Sequence, residues 1–237
     1  MSLPGYFRWI GHRGASGHEP ENTLLSVEKA IEMGLDWIEI DIQYCDGELF
    51  VFHDEFLERT TNGTGRFKEK TKNYLRSLDA GKGTRIPFLK EVLERAEKRI
   101  NIIIEIKDDE AVLPLIHLLG KFLNSGRMTG DNLIVSSFNP EHIKIFRSLE
   151  NRIPIAVITD TCDEEILKIT KKLGCESIHV NFSSVSDVFI RNAHQLNLNV
   201  FVFTVNTLEE MQILVRMDAD GVFTDYPELR NSLSSFN

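Results

Sequence analysis

The chain has 237 residues, of which 42% are hydrophobic, enough to bury a large core as one barrel-sized domain or two smaller ones, and this content excludes a disordered polymer. A formal net charge of -9 with no compensating basic run argues against a general nucleic-acid binder, since long-range steering would repel a polyanion. No stretch approaches the roughly 20 apolar residues of a membrane span.

The N-terminus lacks the basic start and apolar core of a signal peptide, so the expectation is a cytoplasmic protein; the opening Met-Ser-Leu is also compatible with a native leader already removed. Cys45, Cys162 and Cys175 are odd in number and widely spaced, which favours reduced thiols.

Residues 7–11 read as a first strand. A Pro20-Glu21-Asn22-Thr23 turn follows, and then a helix from Leu24 to Met33 that Asn22 or Thr23 could cap. From Asp36 to Gln43 the pattern alternates. Ile38, Ile40 and Ile42 take one face and Trp37, Glu39, Asp41 and Gln43 the other, so that if the isoleucines pack under helices the acids face a barrel interior. A turn at Asp46-Gly47 leads to a strand at 49–52, and His53 follows directly. Residues 54–86 are rich in Thr, Asn, Gly, Lys and Arg, which predicts an inserted excursion beside the site.

The rhythm then resumes. Helices are predicted at 88–98, 110–125, 140–149, 163–173, 186–195, 207–216 and near 227–233. They alternate with strands at 100–106, 132–137, 153–159, 177–181, 199–205 and 220–224. Eight β/α units result, with 36–52 counted as one. Their number and length match a closed parallel barrel, and a doubly wound open sheet is the alternative.

The chemistry-bearing residues fall at strand ends, where α/β proteins gather their catalytic groups. Glu39 and Asp41 share a face about 6.6 Å apart along their strand, close enough to reach one hard cation together. Glu105 ends an isoleucine-rich strand, where a lone carboxylate is costly unless it is paired or ligating, and Lys107 on the same face offers a partner. His12 and His53 carry imidazoles suited to proton exchange near neutral pH, and Arg13 can hold a phosphate through two parallel hydrogen bonds. His18, His117, His142, His179 and His194 lack an acidic companion set and read as structural. Gly63 and Gly65 lack the Lys-Ser/Thr sequel of a phosphate loop and read as turn residues.

With these residues in hand, the chain resembles the glycerophosphodiester phosphodiesterase family. The matching stretches run in order: His12-Arg13-Gly14, Pro20-Glu21-Asn22-Thr23, Glu39-Ile40-Asp41, His53-Asp54, Arg59 to Gly65, Ile103 to Lys107, Thr204-Val205-Asn206 and Asp220 to Pro227. The resemblance implies a single (β/α)8 TIM barrel domain over 1–237, with a small insertion after the strands of the second unit. It implies one Mg2+ or Ca2+ held by Glu39, Asp41 and Glu105, with His12 and His53 as an acid/base pair. Arg13 and Lys107 would hold the phosphate, with Glu21 and Asn22 in support.

The implied reaction is hydrolysis of glycerophosphodiesters, that is deacylated phospholipids, to glycerol 3-phosphate and an alcohol, a step of lipid and glycerol metabolism with a small-molecule substrate. Three departures stand out: a short Tyr44-to-Gly47 turn, Phe88 in place of Thr, and Phe203 in place of Trp, which can still wall the substrate pocket. Two other functions stay open. One is a lysophospholipase D or phospholipase with an apolar entrance formed by Phe56, Leu57, Phe67 and Phe88; the other is a silent barrel that binds phosphoesters. The sequence leaves open which histidine is acid and which is base, whether water or a glycerol hydroxyl attacks first, and the oligomeric state.

Overall fold

The structure is a computed structural model describing residues 7–233, so Met1-Ser2-Leu3 lie outside the described residues. Eight parallel strands close into a barrel: β1 (Arg8–Gly11), β2 (Trp37–Cys45), β4 (Asn101–Ile106), β5 (Leu133–Ser137), β6 (Ile155–Thr159), β7 (Ser177–Asn181), β8 (Asn199–Phe203) and β9 (Gly221–Thr224). β3 (Glu48–Val51) lies outside the ring, antiparallel to β2. β1 closes the barrel by pairing with both neighbours, Ile10 opposite Phe223 on β9 and opposite Trp37 on β2. At this seam a side chain on Gly221 would place its Cβ 2.5 Å from the Arg8 carbonyl oxygen, so only glycine lets the two strands meet.

Helices α1 (Leu24–Glu32), α3 (Leu89–Ala96), α4 (Val112–Asn124), α5 (Pro140–Leu149), α6 (Glu164–Lys172), α7 (Asp187–Gln195), α8 (Leu208–Arg216) and α9 (Leu229–Leu233) alternate with the strands, and the short α2 (Lys72–Ser77) belongs to the insertion. Most of them start at a capping residue, of which the sequence reading named only that of α1, as Asn22 or Thr23. The side chains of Thr23, Asn139, Asp163, Ser186 and Thr207 each accept a hydrogen bond from a first-turn amide. Thr23 is thus the cap of α1, and Asn22 is released for another role.

Strand alternation divides the core in two. Ile38, Ile40, Ile42, Ile102, Ile104, Val135, Val157, Val180, Val200 and Val222 face outward and pack under the helices. Ile10, Trp37, Ile103, Ile134, Ala156, Phe201 and Phe223 fill the inside. The acids of β2 are therefore on the inner face, as the isoleucine alternation implied. Several strands are shorter than the sequence suggested: β6 begins at Ile155 because Pro154 interrupts the run before it, and β8 ends at Phe203.

The insertion has its own small core of Phe50, Phe52, Leu57, Phe67, Leu75, Leu78 and Ile86, with Phe88 packed against it. Leu57 and Phe67 are fully buried there, and Phe56 is covered on one face by the Arg66 guanidinium, 5.0 Å from the ring. The apolar entrance expected from Phe56, Leu57, Phe67 and Phe88 is therefore not formed: Leu57 and Phe67 lie in the insertion's core, Phe88 packs against it, and of the four only Phe56 stays exposed. The short Tyr44-to-Gly47 turn is a two-residue hairpin loop with Asp46 and Gly47 both at positive φ, which matches the strand twist and leaves His53 in place. Among the described residues no helix is long and apolar enough to cross a membrane.

Candidate active site

A pocket of about 300 Å3 opens at the C-terminal end of the barrel. It is lined by His12, Arg13, Glu39, His53, Glu105 and Lys107 on one side, and by Ser136, Phe138, Ile158, His179, Asn181, Phe203, Thr204 and Phe223 on the other. Seven of the ten residues expected at the site line this pocket; Asp41, Glu21 and Asn22 touch those that do.

His12 and Arg13 follow β1 directly. Arg13 has a positive φ of 53°, an unfavourable conformation for a side-chain-bearing residue, and this turns its amide toward Glu39 Oε2 at 3.0 Å. The next residue, Gly14, must be glycine: at φ 84° an added Cβ would sit 2.5 Å from the Ser26 hydroxyl. The Arg13 guanidinium donates to Glu21 Oε1 at 2.6 Å and lies 3.3 Å from Asp41 Oδ2. Asn22, also at positive φ (57°), donates to Asp41 Oδ2 at 2.8 Å and accepts from the Asp41 amide at 3.2 Å. The turn after β1 is thereby tied to β2 from both sides.

Glu39, Asp41 and Glu105 project inward from β2 and β4, where Asp41 is in register with Glu105. All three are buried, and one carboxylate oxygen from each lies within 4.8 Å of the other two. Burial, reinforced by Asp41 and the third acid, pushes the Glu39 carboxyl well above its ordinary range. Burial and then Asp41 raise Glu105 to about 7, against the opposing pull of Lys107. Burial alone would raise Asp41 too, but Arg13 and Lys107 outweigh it and hold it below its usual value. Lys107 donates to Glu105 at 2.6 Å and lies 3.6 Å from Asp41, the pairing its position suggested.

Three converging acids, two of them pushed toward protonation, fit a hard divalent cation with oxygen ligands. An unpartnered buried carboxylate oxygen, Glu39 Oε1, supports the fit. Among the described residues, four buried side-chain polar atoms make no hydrogen bond: Arg13 Nε, which faces Asp41 Oδ2 as an ion pair at 3.3 Å, Glu39 Oε1, Ser136 Oγ and His179 Nδ1. All four belong to residues that line this pocket, whose polar surface is thus arranged for something other than the protein itself.

Each imidazole is backed by a carboxylate. His12 Nδ1 meets Asp225 Oδ1 at 2.7 Å, and His53 Nδ1 meets Asp54 Oδ1 at 2.6 Å. An ionised carboxylate only accepts, so each Nδ1 donates and each Nε2 stays free to exchange protons. Asp225 accepts two further hydrogen bonds, from Ser16 at 2.7 Å and Asn206 at 2.6 Å. Burial would raise its pKa, but His12 and these donors lower it to about 2. Burial is also the main reason His53 is held below the ordinary histidine value.

Phe203 forms part of the pocket wall, edge-on to Phe138 and Phe223 at 6.0 and 6.3 Å between ring centres. Asp225 was matched only as part of the closing Asp220-to-Pro227 stretch, with no role of its own, and Ser136 was not singled out. His179 is the clearest revision: read as structural, it is almost fully buried, neutral because burial lowers its pKa to about 3, and borders the pocket with an unpartnered nitrogen. Its inward-facing place on β7, matching Glu39 and Glu105 on theirs, was the available signal.

Comparison with known proteins points to one family. Residues 12–229 fit the model of the glycerophosphoryl diester phosphodiesterase family. The chain is 33% identical to a glycerophosphodiester phosphodiesterase of Bacillus subtilis, over 93% of this chain and 84% of that one. It is 32% identical to one from Caldanaerobacter subterraneus subsp. tengcongensis, over 92% of this chain and 94% of the other. Its fold superposes with a TM-score of 0.89 on an Oleispira antarctica phosphodiesterase solved in complex with the product sn-glycerol-3-phosphate, at 28% identity and covering 98% and 97% of the two chains. With the family model spanning the barrel from the residue after β1 to the first residue of α9, the chain belongs to the glycerophosphoryl diester phosphodiesterase family.

Proposed function

We propose that residues 7–233 act as one catalytic unit that hydrolyses glycerophosphodiesters to glycerol 3-phosphate and an alcohol. The observation that carries this reading is the meeting, around one pocket, of two carboxylate-backed imidazoles, two cations and a three-carboxylate cluster. A diester of this kind has one negative charge and a poor alkoxide leaving group. Its hydrolysis needs charge neutralisation, a positioned nucleophile and a proton for the departing oxygen.

Arg13 and Lys107 are placed to hold the nonbridging oxygens. One imidazole Nε2 takes the proton of the attacking hydroxyl, either water or the substrate's own glycerol hydroxyl, and the other gives its proton to the alcohol as the P–O bond breaks; where the glycerol hydroxyl attacks, water then opens the resulting cyclic phosphate to give glycerol 3-phosphate. Glu39, Asp41 and Glu105 would hold a divalent cation, Mg2+ or Ca2+, which when bound supplies further positive charge for phosphoryl oxygens. Ser136, Asn181 and neutral His179 give the aromatic pocket hydrogen-bonding groups suited to a polyol.

Support for the substrate comes from the relatives' activity and from the product held by the Oleispira antarctica phosphodiesterase. The lysophospholipid reading is not favoured, since of the side chains that would have formed an acyl entrance Leu57 and Phe67 are buried in the insertion, Phe88 packs against its core, and Phe56 alone is exposed, with Arg66 over one face. Release of glycerol 3-phosphate from glycerophosphocholine, compared with choline or lysophosphatidic acid formation from lysophosphatidylcholine at matched concentration, tests the assignment. Faster turnover of the lysolipid would reverse it, and ligand binding without product would favour a silent barrel.

A further inference from the structure

We propose that Arg59, contributed by the insertion, is a positioning residue that locks the phosphate-binding arginine and one catalytic histidine into a single hydrogen-bonded unit. The inference rests on the phosphodiesterase reading for its kinetic test and on the geometry alone for its structural one. The chain of contacts is continuous: His53 to Asp54 at 2.6 Å, Asp54 to Arg59 at 2.5 and 2.9 Å, Arg59 to Glu21 at 2.7 and 2.7 Å, and Glu21 to Arg13 at 2.6 Å.

Arg59 binds both carboxylates bidentately. Its Nε and Nη2 hold the two oxygens of Asp54, and its Nη1 and Nη2 hold the two oxygens of Glu21. That engages four of the five guanidinium donors in a planar fork, which a lysine cannot reproduce. An isolated exposed ion pair contributes little. Here, however, both carboxylates are about four-fifths buried and each already orients a residue lining the pocket. Burial would push Asp54 and Glu21 up, yet both sit below their ordinary range, with Arg59 among the main causes.

The anchor for Arg59 is Leu57, two residues before it, fully buried in the insertion's core. Folding of the insertion thus sets the place of the guanidinium. The guanidinium in turn fixes the spacing between Arg13, after β1, and His53, after β3. This gives the excursion a function at the site without any of its side chains entering the pocket, because Arg59 lies instead in an adjoining cleft with Glu21, Ser16 and Asp225. Half of the Arg59 side chain is exposed, so its removal leaves a slot open to solvent and no void in the core.

The test compares wild type, Arg59→Ala and Arg59→Lys by three readouts: steady-state kinetics on glycerophosphocholine, melting temperature, and the imidazole Nδ1 proton resonance of His53, assigned by its loss in His53→Ala. The expected result is a fall in kcat/KM of roughly 10–100-fold in Arg59→Ala, the range typical of residues that orient catalytic ligands. Melting should be nearly unchanged, the Nδ1 resonance broadened or shifted, activity partly recovered with added guanidinium ion, and the loss in Arg59→Lys intermediate. An Arg59→Ala variant within twofold of wild type and with an unaltered His53 resonance overturns the proposal. So does a loss that follows a lowered melting temperature and does not respond to guanidinium. If wild type turns over no glycerophosphodiester, the functional reading fails, and the His53 resonance alone decides for or against Arg59.

Discussion

Replacing Asp225 with Asn changes one atom and removes one charge beneath His12, and the structure sets the size of the effect. Three donors converge on this carboxylate: His12 Nδ1 and Ser16 on Oδ1, Asn206 Nδ2 on Oδ2. An amide has one accepting oxygen. If that oxygen takes the Oδ1 position, the new NH2 faces the Asn206 NH2, whose own oxygen is held by the Asp225 backbone amide at 2.9 Å. If it takes the Oδ2 position, the NH2 faces His12 and forces the imidazole into the tautomer whose Nε2 carries the proton. Losing a charge-assisted hydrogen bond costs about 1.5–3 kcal/mol, which at about 1.4 kcal/mol per tenfold in rate is roughly a 10–100-fold loss in kcat. Full tautomer inversion sets the ceiling at about four orders of magnitude.

The same carboxyl stabilises the fold. A pKa lowered from 3.8 to about 2 contributes about 2 kcal/mol. Because the folded-state value is the lower one, this contribution is fully present above about pH 4 and is lost as pH falls through about 2. Asp225→Asn should therefore lower the melting temperature by roughly 4–8 °C at neutral pH, with the gap closing toward pH 2. The assay is kcat on glycerophosphocholine beside calorimetric melts across pH. A variant that melts lower but keeps kcat within threefold would show that Asp225 only braces the fold and does not orient His12.

Three further outcomes are expected. Metal-stripped protein should lose stability as pH rises from about 4.5 to about 7, because the folded-state carboxyl of Glu105 is raised and the unfolded chain releases its proton first; Mg2+ or Ca2+ should remove this loss in wild type but not in Glu39→Gln, read by melting temperature, and an unchanged pH slope with the metal would contradict the ligand set. Gly11→Ala would place a Cβ 2.4 Å from the Gly14 carbonyl oxygen and 2.9 Å from Leu35, so it should destabilise by about 1–3 kcal/mol and disturb the His12-Arg13 turn, raising KM in steady-state assays. His179→Leu should leave melting within a few degrees yet weaken binding of glycerol 3-phosphate by roughly tenfold, one hydrogen bond to a buried partner, by calorimetric titration; unchanged affinity would place His179 outside the substrate's reach.

The barrel and most of the site were legible because both follow from local pattern. Period-two alternation in β2 put Glu39 and Asp41 opposite Ile38 and Ile40. The first helix start was narrowed to a cap at Asn22 or Thr23, and strand ends gathered His12, Glu105 and Lys107. What remained hidden depended on closure and packing. Asp225 meets His12 across 213 positions of sequence, through the pairing of the last strand with the first. His18, His142 and His194, read as lacking acidic companions, meet Glu228, Asp109 and Asp220 at 2.8, 2.6 and 2.9 Å through long-range packing, whereas His179 packs on Phe201 and Phe223 from other strands. The phenylalanines of the insertion could not be sorted into core or entrance, because a short irregular segment has no periodicity to say which way a ring points.

The measurement that bears most directly on the account is glycerol 3-phosphate release from glycerophosphocholine and glycerophosphoethanolamine in EDTA, Mg2+ or Ca2+, for wild type beside His12→Ala and Glu39→Ala. Turnover should be abolished by EDTA, restored by a divalent cation and lost in both variants. Wild-type turnover that persists in EDTA, or survives in Glu39→Ala, would contradict the metal assignment, and no release under any condition would contradict the activity itself.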